Sequence, residues 1–149
     1  AACPDAQYLI VGRHFAQTVL SLINREHVVQ SRFHRWARRT GLEKRLRRWF
    51  EARYTNHYLE VVDRYLCNLL AHLDVVPEQT MILNLDALAQ TADRGAQQLI
   101  SMGVDLSPTP IETILRPDAL SQKQELRFAD PSVLARVERH YQCLLEKAV

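Results

Sequence analysis

The sequence predicts an all-α chain: a single-domain helical bundle of four to six helices over 1–149, with one long irregular crossover around 104–130. Three observations carry this expectation. Leu, Ala, Arg, Gln and Glu dominate, and all favour helix. Four glycines in 149 residues are too few for a sandwich or barrel built on tight turns. Apolar residues recur at steps of three and four in four segments, and none of these shows sustained alternation.

The first segment runs from residue 5 to about 39, as one long helix or two stacked ones. Pro4 suits a first turn, where its missing N–H costs little, and Asp5 complements the helix dipole. Tyr8, Val11, Phe15 and Leu22 form one stripe, flanked by Leu9, Ala16, Val19 and Ile23. Asn24, Arg25, Glu26 and His27 interrupt it and predict a kink. Val28, Val29, Phe33, Trp36 and Ala37 resume the apolar positions, and Gly41 supplies a left-handed cap.

The second helix is expected over about 42–75. Leu59, Val62, Leu66, Leu69, Leu73 and Val76 make a heptad seam. Carried upstream, that seam would put Arg48 and Arg45 in the core. The upstream apolar residues are instead Leu42, Leu46, Phe50, Tyr54 and Tyr58, at steps of four, which rotates the stripe by roughly 40° per step. Either the helix breaks near Thr55 and Asn56, or its two halves face different neighbours.

A third helix is expected from Pro77 to about Met102, with Met81, Leu85, Leu88, Ala92, Gly95, Leu99 and Met102 in step and Gly103 as the stop. Pro108, Pro110 and Pro117 exclude one continuous helix over 104–130, which becomes a lid or wrap with short turns at 111–115 and 119–128. Asp130 and Pro131 then open the last helix as cap and first-turn proline. Its seam is Leu134, Val137, Tyr141, Leu144 and Ala148.

Charge is distributed unevenly. The net charge is +2, yet residues 32–53 alone hold nine of the nineteen Lys and Arg against two acids, Glu43 and Glu51. The rest of the chain is left at −5. A local basic patch points to an anionic partner, whereas a solvated face paired with the acidic remainder would be inert. The candidate contact residues are Arg32, Arg35, Arg38 and Arg39 on one arm of a hairpin spanning 32–54. Lys44, Arg45, Arg47 and Arg48 lie on the other arm. Guanidinium forks suit phosphate, and aromatic faces suit bases. Trp36, Trp49 and Phe50 are expected in the core, since such residues dominate cores.

These features favour a non-enzymatic regulatory or adaptor protein that binds nucleic acid first and an acidic protein surface second. The heptad seams raise a homodimer if they are not covered within the chain. No cofactor is called for. A second reading is a metal-, haem- or small-ligand-binding sensor that uses the bundle interior, with His57, Glu60 and His72 as ligands. The haem variant rests on helical class and chain length alone. Catalysis has no positive residue: no nucleophile elbow, phosphate-cradling glycine loop or Cys-x-x-Cys occurs. Asp63 and Glu60 read as a solvated carboxylate face. Cys3, Cys67 and Cys143 are an odd, sparse set that fits core or half-buried thiols and a cytoplasmic compartment. No apolar run has spanning length, and no charged-then-apolar signal pattern opens the given sequence.

Overall fold

A computed structural model describes residues 8–75, 80–84, 97, 100 and 125–147. Along the chain these form strand β1 (Tyr8–Gly12), helix α1 (Phe15–Ile23), a π-helical segment (Asn24–Val29), α2 (His34–Arg39), α3 (Glu43–Val75), strand β2 (Thr80–Asn84) and α4 (Pro131–Glu146). The described chain is mostly helical. It separates into two compact units, one of 1–13, 76–123 and 145–149, the other of 14–75 and 124–144.

The first unit holds the departure from the all-α expectation. Residues 8–12 were expected at the start of the first helix, and residues 80–84 at the start of the third. Both are strands. They pair in parallel, with Tyr8 opposite Thr80, Ile10 opposite Ile82 and Gly12 opposite Asn84. Tyr-Leu-Ile-Val and Met-Ile-Leu are short unbroken apolar runs. Parallel strands covered on both faces show that pattern, and periodicity cannot separate it from a buried helical turn. A partner about seventy residues away decided the outcome. Such pairing needs a long crossover, and residues 13–79 supply it. The third helix otherwise falls on 77–79 and 85–102 and the crossover on 104–124, which lie outside the described residues apart from 97 and 100. The end of the crossover, 125–130, is described and is turn and coil, so the helical turn expected over 119–128 does not extend through it.

The second unit is helical. His14 opens α1, and its Nδ1 accepts the Ala16 N–H at 3.3 Å. Phe15, Ala16, Val19 and Ile23 are buried, so this part of the sequence stripe faces the core. The expected interruption at 24–27 is the π-helical segment. In an α-helix, residues five apart point about 140° away from each other. The wider π turn lets Ile23 and Val28, five apart, both be buried, at 1% and 0% exposure.

Gly41 has φ +71° and joins α2 to α3 in the left-handed conformation that glycine adopts without steric cost. The Leu42 N–H reaches back to the Ala37 carbonyl at 2.8 Å, closing the end of α2. α3 then runs for 33 residues with no break at Thr55. The Thr55 hydroxyl is buried and donates to the Glu51 carbonyl at 2.7 Å, so it needs no interruption of the helix. The change of stripe is therefore a change of neighbour. Leu59, Val62, Leu66 and Leu73 are buried as the seam predicts, and Leu69 is half-buried. Full burial of one such side chain contributes about 1.5–3 kcal/mol, so this seam anchors the unit. Its described members from Leu59 to Leu73 are covered within the chain.

α4 begins as the sequence reads. Asp130 Oδ1 accepts the N–H of Ser132 at 2.8 Å and of Val133 at 3.3 Å. The Ser132 hydroxyl also donates to Oδ1, at 2.6 Å, and this bond first, then the two N–H bonds, holds the Asp130 carboxyl below its ordinary value. Val137, Tyr141 and Leu144 are buried. Tyr141 meets Phe15 edge-on, with ring centroids 5.6 Å apart. Asn56 on α3 accepts the Asp130 N–H at 2.7 Å and ties the start of α4 to the middle of α3.

Candidate anion-binding hairpin

The hairpin of α2, the turn at Gly41 and the first half of α3 carries the basic cluster. α2 is six residues long and buries only Ala37. His34 is half-buried and the other four positions are exposed. The Thr40 hydroxyl donates to the Trp36 carbonyl at 3.0 Å and satisfies the last turn. His34 on α2 and Glu43 on α3 approach at 3.9 Å across the turn, and Arg47 reaches the same carboxylate at 3.8 Å. Glu43 thus serves both arms, each through a long and partly exposed contact worth little to stability.

Arg32, Arg35, Arg38, Arg39, Lys44, Arg45, Arg47 and Arg48 are all exposed. Arg47 is the single member of this set paired to an acid among the described residues. The other seven make no ion pair among the described residues. Arg53, the ninth cation of the stretch, lies 5.8 Å from the ring centroids of both Trp49 and Tyr54.

The aromatics correct the sequence expectation. Trp36 and Trp49, expected in the core, are each 56% exposed, and Phe33 is 62% exposed. Phe50 is half-buried. The reason lies in the helix faces. On α2 the inward position goes to Ala37, so Trp36 is one residue, about 100°, off the contact line. On α3 the half-buried upstream line is Leu46, Phe50, Tyr54 and Tyr58, and Trp49 falls beside it. Hydrophobicity alone could not reveal this, because it records how apolar a residue is and not the direction in which it points.

The upstream line meets the π-helical segment. His27 stacks on Tyr54 with centroids 3.8 Å apart and planes 4° from parallel. His27 Nε2 lies 3.0 Å from the Tyr58 hydroxyl. Burial, then the nearby Glu26 and Tyr54, push the Tyr58 hydroxyl above its ordinary value, so it stays protonated at neutral pH. The basic half of α3 is thus held to the helical unit by a buried-side aromatic stack, while its other side carries cations and Trp49.

The second set of sequence candidates does not converge. His57, Glu60 and His72 are all exposed on α3. Fifteen residues separate His57 from His72, a rise of about 22 Å along one helix. A different trio comes together: Asp63 and Cys67 from α3 with His140 from α4. His140 Nδ1 lies 2.7 Å from Asp63 Oδ1 and 3.4 Å from Cys67 Sγ. Arg136 Nε donates to Asp63 Oδ2 at 2.7 Å. Asp63 is therefore not the solvated carboxylate the sequence suggests; it is buried, with 12% of its side chain accessible. Burial opposes its charge, yet the bonds from His140 and Arg136 outweigh that and hold it below the usual carboxylate range. Cys67, expected as a core or half-buried thiol, is exposed, whereas Cys143 is half-buried. The four-residue step from Asp63 to Cys67 was legible in the sequence, but His140 lies more than seventy residues on.

Among the described residues, no helix is long and apolar enough to cross a membrane. No family model, curated protein or solved structure matches the chain.

Proposed function

We propose that the chain is a non-enzymatic regulatory or adaptor protein whose α2–α3 hairpin binds single-stranded nucleic acid. One observation carries the reading: exposed Phe33, Trp36 and Trp49 stand among exposed arginines, of which only Arg47 reaches an acid among the described residues. Arginines track a phosphate backbone, and aromatic faces stack bases regardless of sequence. An inert solvated patch would have no use for two half-exposed tryptophans, since exposing them forgoes their burial energy.

The test is fluorescence anisotropy of a labelled oligonucleotide over a salt series, with tryptophan emission recorded in parallel. Affinity should fall steeply with salt, and tryptophan emission should be quenched as bases stack. The pair Arg38→Ala and Arg48→Ala should flatten the salt dependence. Absence of binding at low salt removes the reading. Equal binding of polyglutamate without tryptophan quenching transfers the surface to an acidic protein partner.

A further inference from the structure

We propose that Asp63, Cys67 and His140 bind one thiophilic divalent transition-metal ion, zinc foremost, at the junction of α3 and α4. The site is separate from the basic hairpin and does not depend on its function.

The donor set is a carboxylate, a thiolate and an imidazole, the three side-chain types that zinc takes. Asp63 and Cys67 are one helical turn apart, so α3 presents both donors on one face. His140 supplies the third donor from α4. All three donor atoms lie within 4.8 Å of one another. With zinc bond lengths of about 2.0–2.3 Å, the edges of a tetrahedron are about 3.4 Å between N and O and about 3.6 Å between N and S. The Sγ–Nδ1 separation of 3.4 Å is close to that edge. The Oδ1–Nδ1 separation of 2.7 Å is a hydrogen bond, and it must open by about 0.7 Å for an ion to enter. Side-chain rotation alone covers that distance.

The surroundings suit an ion. Arg136 holds Oδ2 of Asp63, which leaves Oδ1 toward the trio and fixes the carboxylate as an outer partner of a metal ligand does. Cys67 is exposed, so an ion can reach the thiol and solvent can complete the fourth position. The negative charge of Asp63 and of the thiolate together offset the guanidinium nearby. Binding releases the Cys67 thiol proton to solvent and requires His140 Nδ1 to give up the proton it shares with Asp63, so that the bound imidazole is neutral with its proton on Nε2. A purely structural clamp between α3 and α4 would need the Asp63 bonds but not the cysteine.

Cobalt(II) and zinc(II) titrations of the reduced full chain test this. One equivalent of cobalt should give a near-ultraviolet thiolate charge-transfer band with the visible bands of a tetrahedral ion, and zinc should bleach both. Cys67→Ser, at an exposed position, should keep the far-ultraviolet circular dichroism and lose the charge-transfer band. His140→Gln should weaken cobalt binding at least tenfold, and Cys143→Ser should change nothing. In the unmutated chain, one equivalent of zinc should protect Cys67 from alkylation by iodoacetamide, read by peptide mass spectrometry. The proposal is overturned if no thiolate band forms, if the band survives Cys67→Ser, or if zinc leaves the alkylation rate of Cys67 unchanged.

Discussion

The two halves of α3 are one continuous helix used in opposite ways. From Glu43 to about Arg53 the helix buries nothing fully; its cations, together with Trp49, face solvent. From Thr55 to Leu73 it carries six of the unit's buried side chains, including Leu59 at 0% exposure and Asp63. The difference shows that helix formation and core formation are separate events here. Arg, Lys, Leu, Glu and Ala sustain the first half by propensity, with the His27–Tyr54 stack as its attachment. The second half is sustained by the seam. A surface can therefore be projected from the first half without weakening the unit.

Substitutions should expose that division. The largest effect is expected at the seam: Leu59→Ala should cost about 2–5 kcal/mol, read as a lower midpoint in urea unfolding, because the cavity lies where nothing is exposed. An unchanged midpoint would mean that the seam does not anchor the unit.

Next comes the polar contact on the same half. Asp63→Ala leaves Arg136 and His140 without their acceptor. In chelator-treated protein it should cost about 1 kcal/mol, the low end of the range, because Arg136 is half-exposed. The same residue gives an acid dependence. Its folded carboxyl titrates below the ordinary value near 3.9, so the unfolded chain takes up the proton first. The stabilisation is complete above about pH 4 and is lost as pH falls below it. Asp63→Asn should flatten that acid limb of the unfolding curve, and an unaltered limb would assign it to other carboxylates.

Gly41→Ala should cost about 1 kcal/mol. Its added Cβ would meet nothing within 4 Å, so the whole cost is the left-handed backbone at φ +71°. A neutral result would show that the turn relaxes. Smallest of all, Trp49→Ala should shift stability by no more than about 0.5 kcal/mol, as surface substitutions do. It should nevertheless weaken oligonucleotide binding severalfold. A large loss of stability there would place Trp49 in the core and break the comparison between the halves.

Much of the helical unit was legible in the sequence. The seam of Leu59, Val62, Leu66 and Leu73 is buried, Gly41 is left-handed, and Asp130 caps α4. Each is a local rule: a spacing, a missing Cβ, an oxygen two residues before a free N–H. The interruption at Asn24 was also visible, although not its π-helical form, which depends on Ile23 and Val28 both finding the core. The strands were not legible. A five-residue apolar run is compatible with either helix or strand, and only the pairing of Ile10 with Ile82 chooses between them.

The sites divide in the same way. Residue identities alone locate the concentration of positive charge at 32–53, because charge is a property of residues and needs no partner to count. Tertiary structure decided that the tryptophans beside it face solvent, since one residue along a helix turns a side chain by about 100°. It also decided that Asp63, Cys67 and His140 meet. Packing two helices brings together residues over seventy positions apart, and no short-range pattern encodes that distance.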